Sequence, residues 1–173
     1  MPAEAGTGGQ VAPSTYRWVN MTPASSQVIP AAACRTYESL FDSVTRLPGW
    51  PILIDRTAMA LARCERRGSQ VLVLVLEDVR SDRGVPIHVR VAAAALQGCV
   101  RTEDTIARVD ERTIVVVCNE IGADSDGAQI ARRLLTRAGL ECRMGIALSG
   151  GHDDPKSLLT TAVRDVREQR AGV

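Results

Sequence analysis

Between Arg101 and Cys118 the chain gathers the residue types that can do chemistry: Arg101, Asp104 and Arg108, then the charged turn Asp110-Glu111-Arg112 between two apolar strings. Arg101-x-x-Asp104 is the only Arg-x-x-Asp in the sequence. An arginine fork can grip a phosphate or another pair of acceptors, and an aspartate beside it can accept from N–H groups, so the pair is chemically able to hold an anionic ligand that also carries donors. The plain alternative is a solvated ion pair in a turn, worth about 0 to 1 kcal/mol. Arg108, Arg90 and Arg83 are auxiliary donors whose placement the sequence does not fix. A second acidic group, Glu77-Asp78, ends the apolar run Val71 to Leu76, a place where solvated carboxylates are common. Other constellations carry less. His88 and His152 are the only histidines and stand in no zinc-like spacing to a cysteine, so His88 is expected on a helix face and His152 in a loop. Gly150-Gly151 before Asp153-Asp154 lacks a phosphate-loop lysine and reads as a turn and helix cap. No serine or cysteine nucleophile has a credible base beside it.

The elements that must position these groups follow from periodicity. Thr105 to Val109 and Thr113 to Cys118 are β-branched runs of strand length separated by a few polar residues, a hairpin signal. Val71 to Leu76 is apolar at every position, hence a central strand covered on both faces. Helices are expected from about Pro51 to Arg67 with Gly68 as terminator, from Pro86 with an apolar stripe of Val89, Ala92, Ala93, Leu96 and Val100, and from about Asp126 to Ala138 closed by Gly139. A strand near Glu141 to Leu148 and a last helix started by Asp154 and Pro155 complete the pattern. The order from Val71 is βαββαβ, the ferredoxin-like arrangement, with one helix added at each end. We therefore expect an α+β fold with a largely antiparallel sheet and helices packed on it.

Upstream, residues 1–29 are rich in Pro, Ala, Ser, Gly and Thr and read as a flexible tail, interrupted by Tyr16, Arg17, Trp18 and Val19, an apolar island that could dock on this domain or a partner. A lead-in helix is expected over 30–47, with Cys34, Tyr37, Leu40, Phe41 and Val44 on one face, and the domain proper over 48–173. At 173 residues and a net charge of +1, the chain is the length of one domain with extra segments and has no global field for polyanions, so any anion site is local. Aromatic residues are 3% of the chain, too few for an RNA-stacking sheet, and no nucleic-acid partner is expected. Five cysteines without a Cys-x-x-Cys pair read as reduced, mostly buried thiols. No basic-then-apolar leader or long apolar run is present, so the expectation is a cytoplasmic protein with no membrane contact.

Asp42-Ser43-Val44-Thr45-Arg46-Leu47-Pro48 resembles the Asp-x-Leu-Thr-Gly-Leu-Pro-Asn-Arg motif of GGDEF domains, the cyclase fold that makes cyclic di-GMP from GTP. The likeness continues through the Val71 to Asp78 strand, Arg101-Thr-Glu-Asp-Thr-Ile-Ala-Arg, Met144-Gly145-Ile146-Ala147 and the closing helix to Gly172. Aligned on Arg108, the five signature positions of the family fall on Asp110, Glu111, Arg112, Thr113 and Ile114. Where the family has two glycines for nucleotide approach and two acids that help hold magnesium, this chain has two acids followed by Arg112 and Thr113. A cation near a metal position reverses the interaction: at about 4 Å and an effective dielectric of 20, each unit-charge pair is worth roughly 4 kcal/mol. Asp110 and Glu111 could serve as ligands from two residues earlier, but such a slip keeps their facing while moving them several ångströms.

The resemblance implies further losses. Of the family's Asp-x-Asp metal motif only Glu77 or Asp78 remains, the loop Arg80 to Val85 is shorter than the family's substrate loop, Pro86 falls near the guanine-binding Asp, and the lysine of the last helix corresponds to Gln169 or Arg170. Arg101-x-x-Asp104 matches the family's inhibitory site for cyclic di-GMP, with Arg108 as an added donor. The expectation is a degenerate, catalytically inactive GGDEF-like regulatory domain that is a cyclic di-GMP receptor. The alternatives are an interaction or homodimerisation module without a nucleotide, and a cyclase with residual activity. No cofactor is expected, and magnesium enters only if cyclase activity persists.

Overall fold

In a computed structural model the described residues are 40–122 and 125–171. The elements are α1 (Trp50–Arg67), β1 (Gln70–Ser81), α2 (Val89–Gln97), β2 (Thr105–Arg108), β3 (Thr113–Ile121), α3 (Gly127–Ala138), β4 (Leu140–Ser149) and α4 (Pro155–Ala171). The strands form one sheet in the order β2-β3-β1-β4 with every pairing antiparallel. This is the α+β, ferredoxin-like order read from the sequence.

Central β1 explains the layering. Val71 through Leu76 are all fully buried, so successive side chains must be covered on opposite faces. Leu72, Leu74 and Leu76 pack with Ala92, Ala93 and Leu96 of α2 and with Ala131, Leu134 and Leu135 of α3. Val71, Val73 and Val75 pack with Leu53, Ala60, Leu61 and Cys64 of α1 and with Leu158, Leu159, Ala162 and Val166 of α4. Two helices on each side remove both faces from water, and burial of branched aliphatic groups supplies the main driving force. Among the described residues, no helix is long and apolar enough to cross a membrane.

Three local expectations need correction. Leu40 to Leu47 is not helical: Asp42 Oδ1 accepts from both the amide and the hydroxyl of Thr45 at 2.6 Å, and Phe41 bridges to Pro48. A short acidic side chain that captures backbone N–H groups ahead of it competes with helix formation, and Arg46 at φ 61 stops any continuation. The rest of the lead-in segment, residues 30–39, and the whole of 1–29 with Tyr16 to Val19 lie outside the described residues. Pro86 does not open α2; it bridges to Arg80, and His88 is the N-cap, its Nδ1 accepting from the Arg90 amide at 3.3 Å, rather than a helix-face residue. Finally, β1 runs on to Ser81, so Glu77 and Asp78 sit within its pairing to β4 rather than beyond it.

Backbones approach closely where α4 crosses β4. A Cβ on Gly145 would meet the Ala162 carbonyl oxygen at 1.9 Å and the Val166 amide nitrogen at 2.7 Å. Backbone cannot yield as a flexible side-chain tip can, so Gly145→Ala is expected to cost about 2 kcal/mol or more. In urea denaturation the midpoint should fall while the slope is unchanged.

Candidate functional site

The hairpin tip is built around Arg108, the last residue of β2. Its amide donates to the Pro48 carbonyl (2.9 Å), so the lead-in turn lies along the outer edge of β2. Its Nη1 donates to both carboxylate oxygens of Asp42 (3.0 and 3.1 Å), its Nε to the Asp110 carbonyl (3.0 Å) and its Nη2 to the Glu111 carbonyl (3.2 Å). The side chains of Arg108 and Asp42 are only 10% and 12% exposed. Arg108 is therefore committed to joining the lead-in turn to the hairpin tip. Burial alone would raise the Asp42 carboxyl, but the Thr45 hydroxyl and amide together with Arg108 outweigh it and hold the group below its ordinary value.

Beside this hub stand the positions where the resemblance would put a metal ion. Asp78 sits at φ 53 in a bulge of β1 that shifts the β4 register between Glu77 and Arg80. Its Oδ1 accepts from Arg112, with Nε at 2.7 Å, and its Oδ2 from Nη2 of Arg143, the residue opposite Glu77 on β4. Arg143 also lies 3.8 Å from the Glu77 carboxylate. Two guanidinium groups thus take up the charge of the two acids. Of the remaining signature positions, Asp110 caps its own turn by accepting from the Arg112 amide (2.8 Å), Glu111 is exposed, Thr113 pairs with Glu77 in the ladder, and Ile114 is in the core. No group of three or more His, Cys, Asp or Glu among the described residues is placed to hold a metal ion. These side chains do not fit magnesium. The adjoining cavity, between Asp78, the start of α2 and Arg112, is about 170 Å³, below the range of about 300 to 1,000 Å³ usual for small-molecule sites.

The opposite end of the sheet is different. A groove of about 300 Å³ opens between the Arg101 to Asp104 turn, the end of β3 and α3. Ile130, Leu134, Cys99 and Cys118 contribute apolar lining, and Arg101, Arg133 and Arg137 contribute three guanidinium groups. None of these three makes an ion pair or hydrogen bond with a carboxylate among the described residues. Asp104 supplies the one negative charge of the lining. Its Oδ2 accepts from the Arg101 amide and its Oδ1 from the Asn119 amide, both at 2.9 Å, which leaves each oxygen a lone pair for a ligand. Burial first, with Asp104 adding and Arg101 opposing, pushes the Cys118 thiol up to about 12, so it is no nucleophile.

The structure thus gathers Arg101 and Asp104 but not Arg108, which stands at the other end of β2, about 10 Å away at the rise of a strand. Arg83, in the turn after β1, and Arg90, in the first turn of α2, do not line the groove either. Arg133, Arg137 and Asn119 take their place. The sequence held a signal for two of them: Ile130, Arg133, Leu134 and Arg137 recur at i, i+3, i+4 and i+7, one stripe of α3 that mixes apolar and cationic residues. The side chains of Gln169 and Arg170 lie outside the described residues.

The Asp42 hub gives a pH dependence. A carboxyl held below its ordinary value stabilises the fold while ionised; that increment is present at neutral pH and is lost as pH falls through the folded-state value, below about pH 4. Asp42→Asn is expected to lower stability at pH 7 and to flatten the loss of stability between about pH 5 and pH 2, measured by urea unfolding across that range.

No family model matches the chain, and no curated protein matches it. Solved structures do. A sensory box/GGDEF family protein from Caulobacter crescentus superposes with a TM-score of 0.65 at 18% identity over 78% of this chain and 100% of that one. The GGDEF domain of TpbB (YfiN) from Pseudomonas aeruginosa gives 0.60 at 22% identity, over 77% and 90% of the two chains. The GGDEF domain of DgcB from Caulobacter crescentus, solved in complex with c-di-GMP, gives 0.60 at 15% identity, over 87% and 94%. The sheet order, the four covering helices and these superpositions together establish that this chain has the fold of a GGDEF domain.

Proposed function

We propose that this chain is a regulatory GGDEF-fold module that does not synthesise cyclic di-GMP but binds it, in the groove of Arg101, Asp104, Arg133 and Arg137. The observation that carries the reading is the opposite treatment of arginine at the two ends of the sheet. At the hairpin tip, Arg112 and Arg143 are paired to the acids that a metal would need. At the groove, three guanidinium groups stand around an open cavity with a single carboxylate among them. Phosphodiester oxygens and the N7/O6 edge of guanine are acceptors that such forks match, and the free lone pairs of Asp104 suit the guanine N1 and N2 donors. That DgcB was solved with c-di-GMP on the same fold adds support.

A second reading, a protein-contact module, draws on the exposed Leu40, Phe41 and Val44 of the lead-in turn, an apolar surface of the kind that marks association sites. The two readings separate by calorimetric titration. The parent protein is expected to bind cyclic di-GMP at micromolar concentration, and Arg101→Ala to weaken binding by about 10- to 100-fold, the loss of one charged hydrogen-bonding group. No heat at high micromolar ligand would remove the receptor reading. Incubation with GTP and magnesium is expected to yield no cyclic dinucleotide; product formation that Asp78→Ala abolishes would show that the acids still serve a metal.

A further inference from the structure

We propose that Asn119 is a positioning residue for this groove: it clamps the Arg101 to Asp104 turn onto β3, so that Arg101 and Asp104 meet a ligand in one fixed arrangement. The inference rests on the receptor reading above and adds to it a residue that makes the site rigid.

Asn119 reaches the turn twice. Its backbone amide donates to Asp104 Oδ1 at 2.9 Å, and its side-chain Nδ2 donates to the carbonyl of Glu103, one of the two residues between Arg101 and Asp104. The turn closes on itself through the Arg101 amide on Asp104 Oδ2 and the Asp104 amide on the Arg101 carbonyl (3.1 Å). Strand β3 departs from regular pairing where this contact is made. Asn119 and Glu120 together face Val71 of β1, between the pairs Leu72 with Cys118 and Gln70 with Ile121, and Glu120 takes φ 53. A bulge of this kind re-aims a side chain at the expense of ladder regularity.

The chemistry of Asn119 argues against a role in the core alone. The residue is 4% exposed, yet its Oδ1 has no hydrogen-bond partner. A buried acceptor without a donor costs stability that an apolar side chain of similar size would not. The fold by itself would be better served by leucine. What asparagine adds is the Nδ2 contact to Glu103, and with it a turn whose exposed Arg101 does not have to be ordered at the moment of binding.

Stability and binding should therefore respond in opposite senses, which a purely structural role would not produce. The test compares the parent full chain with Asn119→Leu. The urea midpoint of Asn119→Leu is expected to match or exceed that of the parent, while its Kd for cyclic di-GMP rises tenfold or more. Amide hydrogen exchange without ligand is expected to quicken at least tenfold at Arg101 and Asp104 and to stay unchanged at Val115 to Val117. A lowered midpoint with exchange quickened throughout β3 would make Asn119 a support of the fold and overturn the inference. Unchanged exchange at the turn would overturn it as well. Should leucine not fit, Asn119→Ala lowers the midpoint by leaving a void but is still expected to loosen the turn selectively. If the parent gives no heat with cyclic di-GMP, the receptor reading fails, and exchange alone then decides: selective loosening sustains Asn119 as the clamp, and its absence ends that claim.

Discussion

Double-sided burial of β1 is the constraint from which the rest of the molecule follows. Six consecutive side chains from Val71 to Leu76 leave no face for water, so a helix pair must lie on each side and a strand on each edge. Once β3 and β4 flank it, the sheet has two distinct ends. At the end where β1 finishes, the hairpin tip, the lead-in turn and the β1 bulge converge; where β1 starts, β3 runs out beside α3 and the Arg101 turn. The site chemistry is decided by what the chain places at these two ends.

At both ends the cation is arginine, and its surroundings give it opposite meanings. Arg108, buried against Asp42 and two carbonyls, is a strut, since its planar fork satisfies three partners that a lysine could not reach together. Arg112 and Arg143 both pair with Asp78, so the carboxylate there is matched by two cations. Arg133 and Arg137, one turn apart on α3 and facing Arg101, have no such partners. Like charges at that spacing repel by about 0.2 to 0.5 kcal/mol, a cost that a bound anion relieves.

Much of this was legible in the sequence because it is local. Asp126 and Gly139 bracket α3 as a capping residue and a left-handed terminator, the first bonding the Ala128 and Gln129 amides and the second at φ 64. The alternation of strand and helix gave the sheet order, and the charge reversal at Arg112 was plain in the sequence, although its contact with Asp78 was not. What failed to show was set by partners distant in sequence. Asp42 breaks the expected helix by bonding Thr45 and is held by Arg108, 66 residues away. Pro86 resembles a helix opener but is taken by Arg80 across a tight turn. Arg108 is near Arg101 in sequence, yet an extended strand carries it to the other end of the sheet. The groove draws on α3 and β3, and no spacing within the Arg101 to Asp104 segment could announce Arg133 or Asn119.

The division of the arginines into paired and unpaired groups can be observed in one measurement, an NMR titration of the arginine side-chain Nε–H signals with cyclic di-GMP. Arg101, Arg133 and Arg137 are expected to shift with a common binding curve while Arg108, Arg112 and Arg143 stay in place. Shifts centred on Arg112 and Arg143, or no shift at any arginine at saturating ligand, would contradict it.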